Sequence, residues 1–190
     1  GVLIPRPDSE VLIEAALEHF AGHAAPRHIL DLGTGPGTLL LAALSEWPEA
    51  QGVGIDASPI ALDYAQRNAA ALGFAERVHW RSGDWAQGVK GRFDLILSNP
   101  PYVESGAVLD PQVAAHEPAK ALFAGVDGLD VYRRLLPQLP ARLERDGVAI
   151  VEIGATQRDA VSALARAAGF TVTGKADLGG WDRALLLTIA

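Results

Sequence analysis

"HILDLGTGPGT", residues 28–38, decides the fold. Three apolar or strand-compatible residues run into Asp31, and three glycines at alternate positions (Gly33, Gly35, Gly37) precede an apolar run that opens on Thr38. A buried strand, a glycine turn and a helix start in that order describe a βα unit whose loop lets the backbone approach a ligand closely. The dinucleotide fingerprint G-x-G-x-x-G requires glycine at position 38, where the chain has Thr38. By itself such a loop serves a tight turn as readily as a binding site.

Working outward, the same alternation repeats. Short apolar runs ending in Gly or Asp recur at 28–33, 52–57, 77–84, 93–99 and 147–154, with helical patterns at 8–21, 38–47, 59–72, 128–145 and 156–168. This is the pattern of a doubly wound α/β fold on a mostly parallel sheet. Ser58 before Pro59 is an N-cap with an N1 proline, and Gly73 and Gly169 are C-terminal stops. The tail, "TVTGKADL" and "RALLLTIA" around "GGWD", reads as an antiparallel hairpin at one sheet edge, making seven strands in all. The stretch 104–126 has weak periodicity, and loops of that length are usually functional or mobile.

Composition sets bounds. The chain has 190 residues, 49% of them hydrophobic, enough for one well-buried core, so residues 1–190 are read as one domain. No apolar run reaches bilayer length and the start lacks the order of a secretory signal, which gives a soluble cytoplasmic protein and no membrane partner as the expectation. Cysteine is absent, which excludes disulfides, thiolate metal sites and cysteine nucleophiles. Of the five histidines, only His19 and His23 share a helical spacing, without the acid of an HExxH pattern, so no metal is expected. The net charge of −7 argues against a domain that holds nucleic acid by neutralising phosphates. Methionine is absent even at position 1, so the chain is read as a piece of a longer or processed protein.

In a doubly wound sheet the ligand lies outside the carboxyl ends of the strands, where strand order reverses. The residues there form a series. After Gly33, Thr34, Gly35, Pro36 and Gly37 comes Asp56, about twenty residues on, suited to accept from ribose hydroxyls. The third strand ends in Asp84, an acceptor for an adenine amino group, and Trp85, a face for the ring. Each has an ordinary alternative as a turn aspartate or a packed tryptophan; together they describe an adenosine pocket with free ribose hydroxyls and no Walker lysine.

The fourth strand delivers "NPPY", Asn99 to Tyr102. Asn99 and Pro100 each precede proline, which holds both in extended geometry, and the prolines have no N–H to engage in a ladder. Such a stiff corner grips a planar NH₂ through two acceptors, the Asn99 side-chain oxygen and the Pro100 carbonyl, while Tyr102 covers it. An amide or aromatic amine is a poor nucleophile because its lone pair is delocalised. Holding both hydrogens favours rehybridisation and aims the lone pair at an electrophile, with no strong general base required. A rigid strand exit is the plain alternative.

These residues resemble the class I S-adenosylmethionine-dependent methyltransferases of planar nitrogen, a Rossmann-like fold, and more narrowly the peptide-chain release factor glutamine-N5 methyltransferases. "VLIPRPDSE", "DLGTGPGTLLLA", "GIDASPIALDYAQRNA", "SGDW", "FDLILSNPPYV", "HEPAKALFAGVDGLDVYRRLL", "EIGATQ" and "GGWDRALLLT" have counterparts in order, and "PRPDSE" with "NPPY" and "EP..AL" is the specific combination. The resemblance implies methyl transfer from S-adenosylmethionine, leaving S-adenosylhomocysteine, to the glutamine of the Gly-Gly-Gln motif of bacterial class I release factors. It implies that Gly33–Gly37, Asp56, Trp85 and Asn99 contact the cofactor and that Asn99, Pro100, Pro101 and Tyr102 receive the glutamine, with Asn99, Pro100 and Tyr102 catalytic. Arg6 and Glu117 fall in family-like segments, where a salt bridge or a cap is an equal reading. Ser9 stands where the family has threonine, and His116 where it has an aromatic residue. The family's N-terminal helical domain, which docks the release factor, is expected to precede this chain. Rivals are an adenine-N6 nucleic-acid methyltransferase, which needs a basic track, a ribosomal-protein glutamine methyltransferase, and a non-catalytic cofactor-fold subunit.

Overall fold

The structure, a computed structural model, describes residues 9–107 and 122–189. Strands are β1 (His28–Leu32), β2 (Gln51–Asp56), β3 (Val78–Ser82), β4 (Phe93–Ser98), β5 (Leu143–Glu152), β6 (Phe170–Ala176) and β7 (Asp182–Ile189). Helices are α1 (Glu10–Phe20), α2 (Thr38–Glu46), α3 (Pro59–Ala71), α4 (Asp130–Leu135) and α5 (Arg158–Ala167). The seven strands form one sheet in the order β3-β2-β1-β4-β5-β7-β6. β1 to β5 pair in parallel, and β7 runs antiparallel to both β5 and β6. Strand order reverses between β1 and β4, as the sequence reading requires of a doubly wound sheet.

Each central strand is buried on both faces. On β4, Leu95 and Leu97 join Val11, Leu12, Leu40 and Leu44 under α1 and α2, while Ile96 points the other way with Leu30, Leu32, Tyr132 and Val161. The two-residue period of the pleat is what sorts one apolar run into two cores. Helix punctuation follows the sequence: Ser58 accepts from Ala61 N–H at 3.3 Å with Pro59 at the first turn, and Gly73 (φ +78°) and Gly169 (φ +96°) follow helix ends. Arg77 fastens the sheet edge by donating to the carbonyls of Leu44, Trp47 and Ala50 at 2.9, 2.7 and 3.0 Å.

One element differs from the reading. The helix expected over 128–145 stops at Leu135, continues as a 3-10 turn over Leu136–Gln138, and gives way to β5 at Leu143. Pro137 and Pro140 remove two backbone donors and sterically block the preceding turns, leaving the chain free to enter the sheet earlier. The hairpin is present, and Asp177 organises its turn by accepting from Gly179 and Trp181 N–H at 2.9 and 3.0 Å. Of the weakly periodic stretch, residues 108–121 lie outside the described residues, as do Arg6, His116 and Glu117. Its two flanks meet: Val103 N–H donates to Leu122 at 2.9 Å, and Ala124 N–H to Val103 at 2.8 Å. No helix among the described residues is long and apolar enough to cross a membrane.

Candidate functional site

The glycine loop takes its shape from the pairing of β1 with β2. Gly33 and Thr34 N–H both donate to the Ile55 carbonyl at 2.9 Å, which turns the chain sharply at the end of β1. Gly33, Gly35 and Gly37 all adopt left-handed backbone (φ +71°, +55° and +84°), so the alternate spacing reflects a conformation that side chains disfavour. At Gly35 a Cβ would meet nothing within 4 Å, so the loop presents an open backbone face there. At Gly33 it would stand 3.1 Å from the Trp85 ring, which places that ring directly against the loop.

Asp56 holds the loop from the next strand. One carboxylate oxygen accepts from Gly35 N–H at 2.8 Å and the other from Ser58 N–H at 2.8 Å. A carboxylate has about four acceptor positions, so capacity for two further donors such as ribose hydroxyls remains. Pro36 is held through its carbonyl by the Asn68 amide at 2.9 Å. Trp85 has φ +55°, a left-handed conformation unusual for a bulky residue, and such strain concentrates at ligand sites. Asp84 sits differently: its Oδ2 accepts from Arg134 at 2.6 Å and from Gln87 at 3.3 Å on an exposed surface.

Beneath the loop lies Asp31, fully buried on β1. Its Oδ2 accepts the Thr34 hydroxyl proton at 2.5 Å, and its Oδ1 makes no hydrogen bond of good geometry among the described residues. Burial raises its pKa from 3.8 to about 7; the Thr34 hydrogen bond opposes the shift, the charge of Asp56 adds to it, and the Leu40 backbone N–H, near the carboxyl, opposes it further. The sequence signal was available, an acid inside an apolar strand, but the burial behind the shift comes from packing.

The corner stands beside the loop because Leu32 on β1 pairs with Ser98 on β4, and Ser98 Oγ donates to the Leu32 carbonyl at 2.8 Å. Gly33 and Asn99 are the next residues on either side. Asn99 Nδ2 donates to Ser9 Oγ at 3.0 Å, and Ser9 Oγ donates to Glu152 Oε2 at 2.6 Å. Tyr102 donates its phenol to Glu152 Oε1 at 3.3 Å, and Tyr132 its phenol to the Glu152 carbonyl at 2.8 Å. Among the described residues, no donor occupies Asn99 Oδ1 or the Pro100 carbonyl. The Tyr102 carbonyl accepts from Gln157 Nε2 at 3.0 Å, and a Cβ on Gly128 would come within 2.4 Å of that same carbonyl, so glycine is required where the two segments meet. Pro100 is buried while Asn99, Pro101 and Tyr102 are half-buried, which gives a fixed corner with accessible polar edges.

Loop, Asp56, Trp85 and the Asn99–Tyr102 corner therefore converge at the strand-order reversal, while the Asp84 carboxylate is turned aside to Arg134. Ser9 stands out in the sequence only as a departure from the family's threonine, and Glu152 and Gln157 carry no site role there. Glu152 carried a signal, an acid at the end of the apolar run of β5, but its partners lie far along the chain. His19 and His23 stack at 4.6 Å between ring centroids, and burial followed by the His23 charge lowers the His19 pKa. Among the described residues no cluster of three or more His, Cys, Asp or Glu could hold a metal ion.

The family model for the methyltransferase small domain matches residues 8–121. A release factor glutamine methyltransferase of Rhodospirillum rubrum is 49% identical over 187 residues, covering 97% of this chain and 57% of that protein. One of Caulobacter vibrioides is 47% identical over 190 residues, covering 98% and 65%. The chain thus spans less than two thirds of the length of these relatives. Among solved structures, a T. thermophilus 16S rRNA N2 G1207 methyltransferase in complex with AdoMet and guanosine superposes with a TM-score of 0.71 at 22% identity, covering 98% of this chain and 44% of that one. At that identity the likeness concerns the fold.

Proposed function

This chain belongs to the methyltransferase small domain family, and on that premise we propose that it transfers a methyl group from S-adenosylmethionine to the side-chain amide N5 of the glutamine in the Gly-Gly-Gln motif of bacterial class I release factors. The observation that carries the reading is the Asn99–Tyr102 corner, two acceptors without a donor among the described residues, on a stiff backbone in register with the glycine loop across the β1–β4 pair. The names of relatives at 42–49% identity support the choice of substrate.

The residues present fit the cofactor. The Gly35 face is open where a Cβ would otherwise project, Asp56 retains acceptor capacity at the end of β2, and the Trp85 ring lies against Gly33. Asp31, closed to solvent, puts a titrating carboxyl under the loop, where its anion would favour a cation. Gly33, Thr34, Gly35, Pro36 and Gly37 would cradle the amino-acid part, Asp56 the ribose, and Trp85 the adenine. Asp84 joins this set only where its second oxygen reaches the adenine amino group. When bound, the cofactor supplies an electrophilic methyl group on a sulfonium sulfur.

The protein's part is orientation. Asn99 Oδ1 and the Pro100 carbonyl accept the two hydrogens of the substrate amide, which withdraws the nitrogen lone pair from conjugation and fixes its direction. Pro101 keeps the backbone extended, and the Tyr102 ring covers the amide and excludes water. The nitrogen becomes acidic as it acquires a fourth bond, so no strong general base is required to take its proton. A release-factor modifier of this kind acts in the cytoplasm. The test is methyl transfer from labelled S-adenosylmethionine to a purified release factor, beside its Gln→Ala variant and DNA. Label on the wild-type factor alone is the expected result, and label on DNA overturns the reading.

A further inference from the structure

We infer that Ser9 and Glu152 are positioning residues that fix which end of the Asn99 amide faces the substrate; this rests on the function proposed above. An asparagine side chain has an acceptor end and a donor end of nearly the same shape, and a 180° flip exchanges them. Gripping an NH₂ group requires the oxygen outward. Nothing in the Asn99–Pro100–Pro101–Tyr102 backbone selects that orientation, because the amide rotates about its own bond.

The selection comes from two residues remote in sequence. A serine hydroxyl has one proton, and Ser9 Oγ lies 2.6 Å from Glu152 Oε2, a separation typical of a hydroxyl donating to a carboxylate. With Ser9 Oγ donating to Glu152 Oε2, its one proton is committed there and Ser9 Oγ presents only lone pairs to Asn99. At 3.0 Å the Asn99 group facing Ser9 must then be the NH₂. In the flipped amide two acceptors would face each other in a nearly buried setting, with Ser9 at 8% and Glu152 at 3% exposure, where an unmade bond is costly. The acceptor role of Glu152 is thus read out, through one hydroxyl, as the outward direction of Asn99 Oδ1. The same carboxylate accepts the Tyr102 phenol at 3.3 Å, so the acceptor and the aromatic cover are referred to one anchor. Neither Ser9 nor Glu152 touches the reacting atoms.

The experiment compares Ser9→Thr with Ser9→Val, side chains of nearly equal shape that differ in the hydroxyl. Three quantities are read on the protein: the Asn99 side-chain NH₂ resonances, identified by their loss in Asn99→Ala; cofactor affinity by calorimetry; and kcat and KM for release-factor methylation. Ser9→Thr is expected to keep the wild-type Asn99 resonances and the wild-type turnover. Ser9→Val is expected to shift those resonances and lower kcat about 10- to 100-fold, with cofactor affinity within about 2-fold of Ser9→Thr. Glu152→Gln, which can donate to Ser9 and release its proton toward Asn99, should move the resonances in the same sense as Ser9→Val. Identical resonances and kcat in the Thr and Val variants would overturn the relay while leaving the function intact. If no form methylates the factor, the proposed function fails, and the resonances alone decide the relay.

Discussion

Asp31→Asn tests whether the buried acid under the glycine loop titrates as its surroundings dictate. In the unfolded chain the carboxyl has a pKa near 3.8, and in the folded protein burial raises it to about 7. Below pH 3.8 both states hold the proton, and the group adds no pH dependence. Between 3.8 and about 7 the folded protein holds a proton that the unfolded chain has released, so stability falls as pH rises, by about 1.4 kcal/mol per unit. Over the window the loss is about 4 kcal/mol, and above it the curve is flat again. An asparagine keeps the acceptor for the Thr34 hydroxyl and carries no charge, but it points an NH₂ where Asp31 Oδ1 meets no acceptor among the described residues, at a cost of about 1–3 kcal/mol. The two effects cross. D31N should be less stable than wild type near pH 4 by about 1–3 kcal/mol, and more stable near pH 8 by a similar amount. Urea denaturation of both proteins at half-unit steps from pH 4 to 8 measures the difference, in which contributions from other groups cancel. Parallel curves across that range would refute the assignment. The positive charge of bound S-adenosylmethionine favours the Asp31 anion, so cofactor affinity in wild type should rise with pH through about 7 and lose that dependence in D31N.

Three further outcomes are expected. Asn99→Ala should lower kcat about 100- to 1000-fold, the loss typical of one preorganised polar group, with cofactor affinity changed only a few-fold; an equal loss of both in calorimetry and turnover would count against the gripping role. Trp85→Ala should weaken S-adenosylmethionine binding about 10- to 100-fold by calorimetry, the worth of one aromatic face against a base, and unchanged affinity would remove Trp85 from the adenine site. Arg77→Ala leaves the carbonyls of Leu44, Trp47 and Ala50 without their shared donor and should lower unfolding stability by about 2–3 kcal/mol in urea, with the cofactor site intact. A native urea midpoint in that variant would show that solvent replaces the guanidinium at no cost.

Local chemistry determined a large part of this protein. The left-handed residues of the loop had to be glycines, the Ser58–Pro59 pair starts α3, and the paired prolines stiffen the strand exit. Each is a restriction on a few adjacent dihedral angles and is legible where it is written. The alternation of apolar runs and helices likewise announced the doubly wound sheet, because the periodicities of strand and helix are properties of the backbone. The same local logic failed at 128–145, where a helical pattern outweighed Pro137 and Pro140 and the sheet claimed the residues from Leu143 onward. What only the tertiary structure decided were contacts between residues far apart in sequence. Asn99 meets Ser9 across 90 positions and Ser9 meets Glu152 across 143, so no window of sequence contains the chain of hydrogen bonds that orients the amide. Asp31 is a legible acid, but its pKa depends on how completely water is excluded from its neighbourhood, and exclusion is the sum of packing on both faces of the sheet. Asp84, at a strand end like Asp56, is turned to Arg134 by the placement of α4. The residue types that do chemistry are chosen locally; their orientation and ionisation are set by what the fold brings against them.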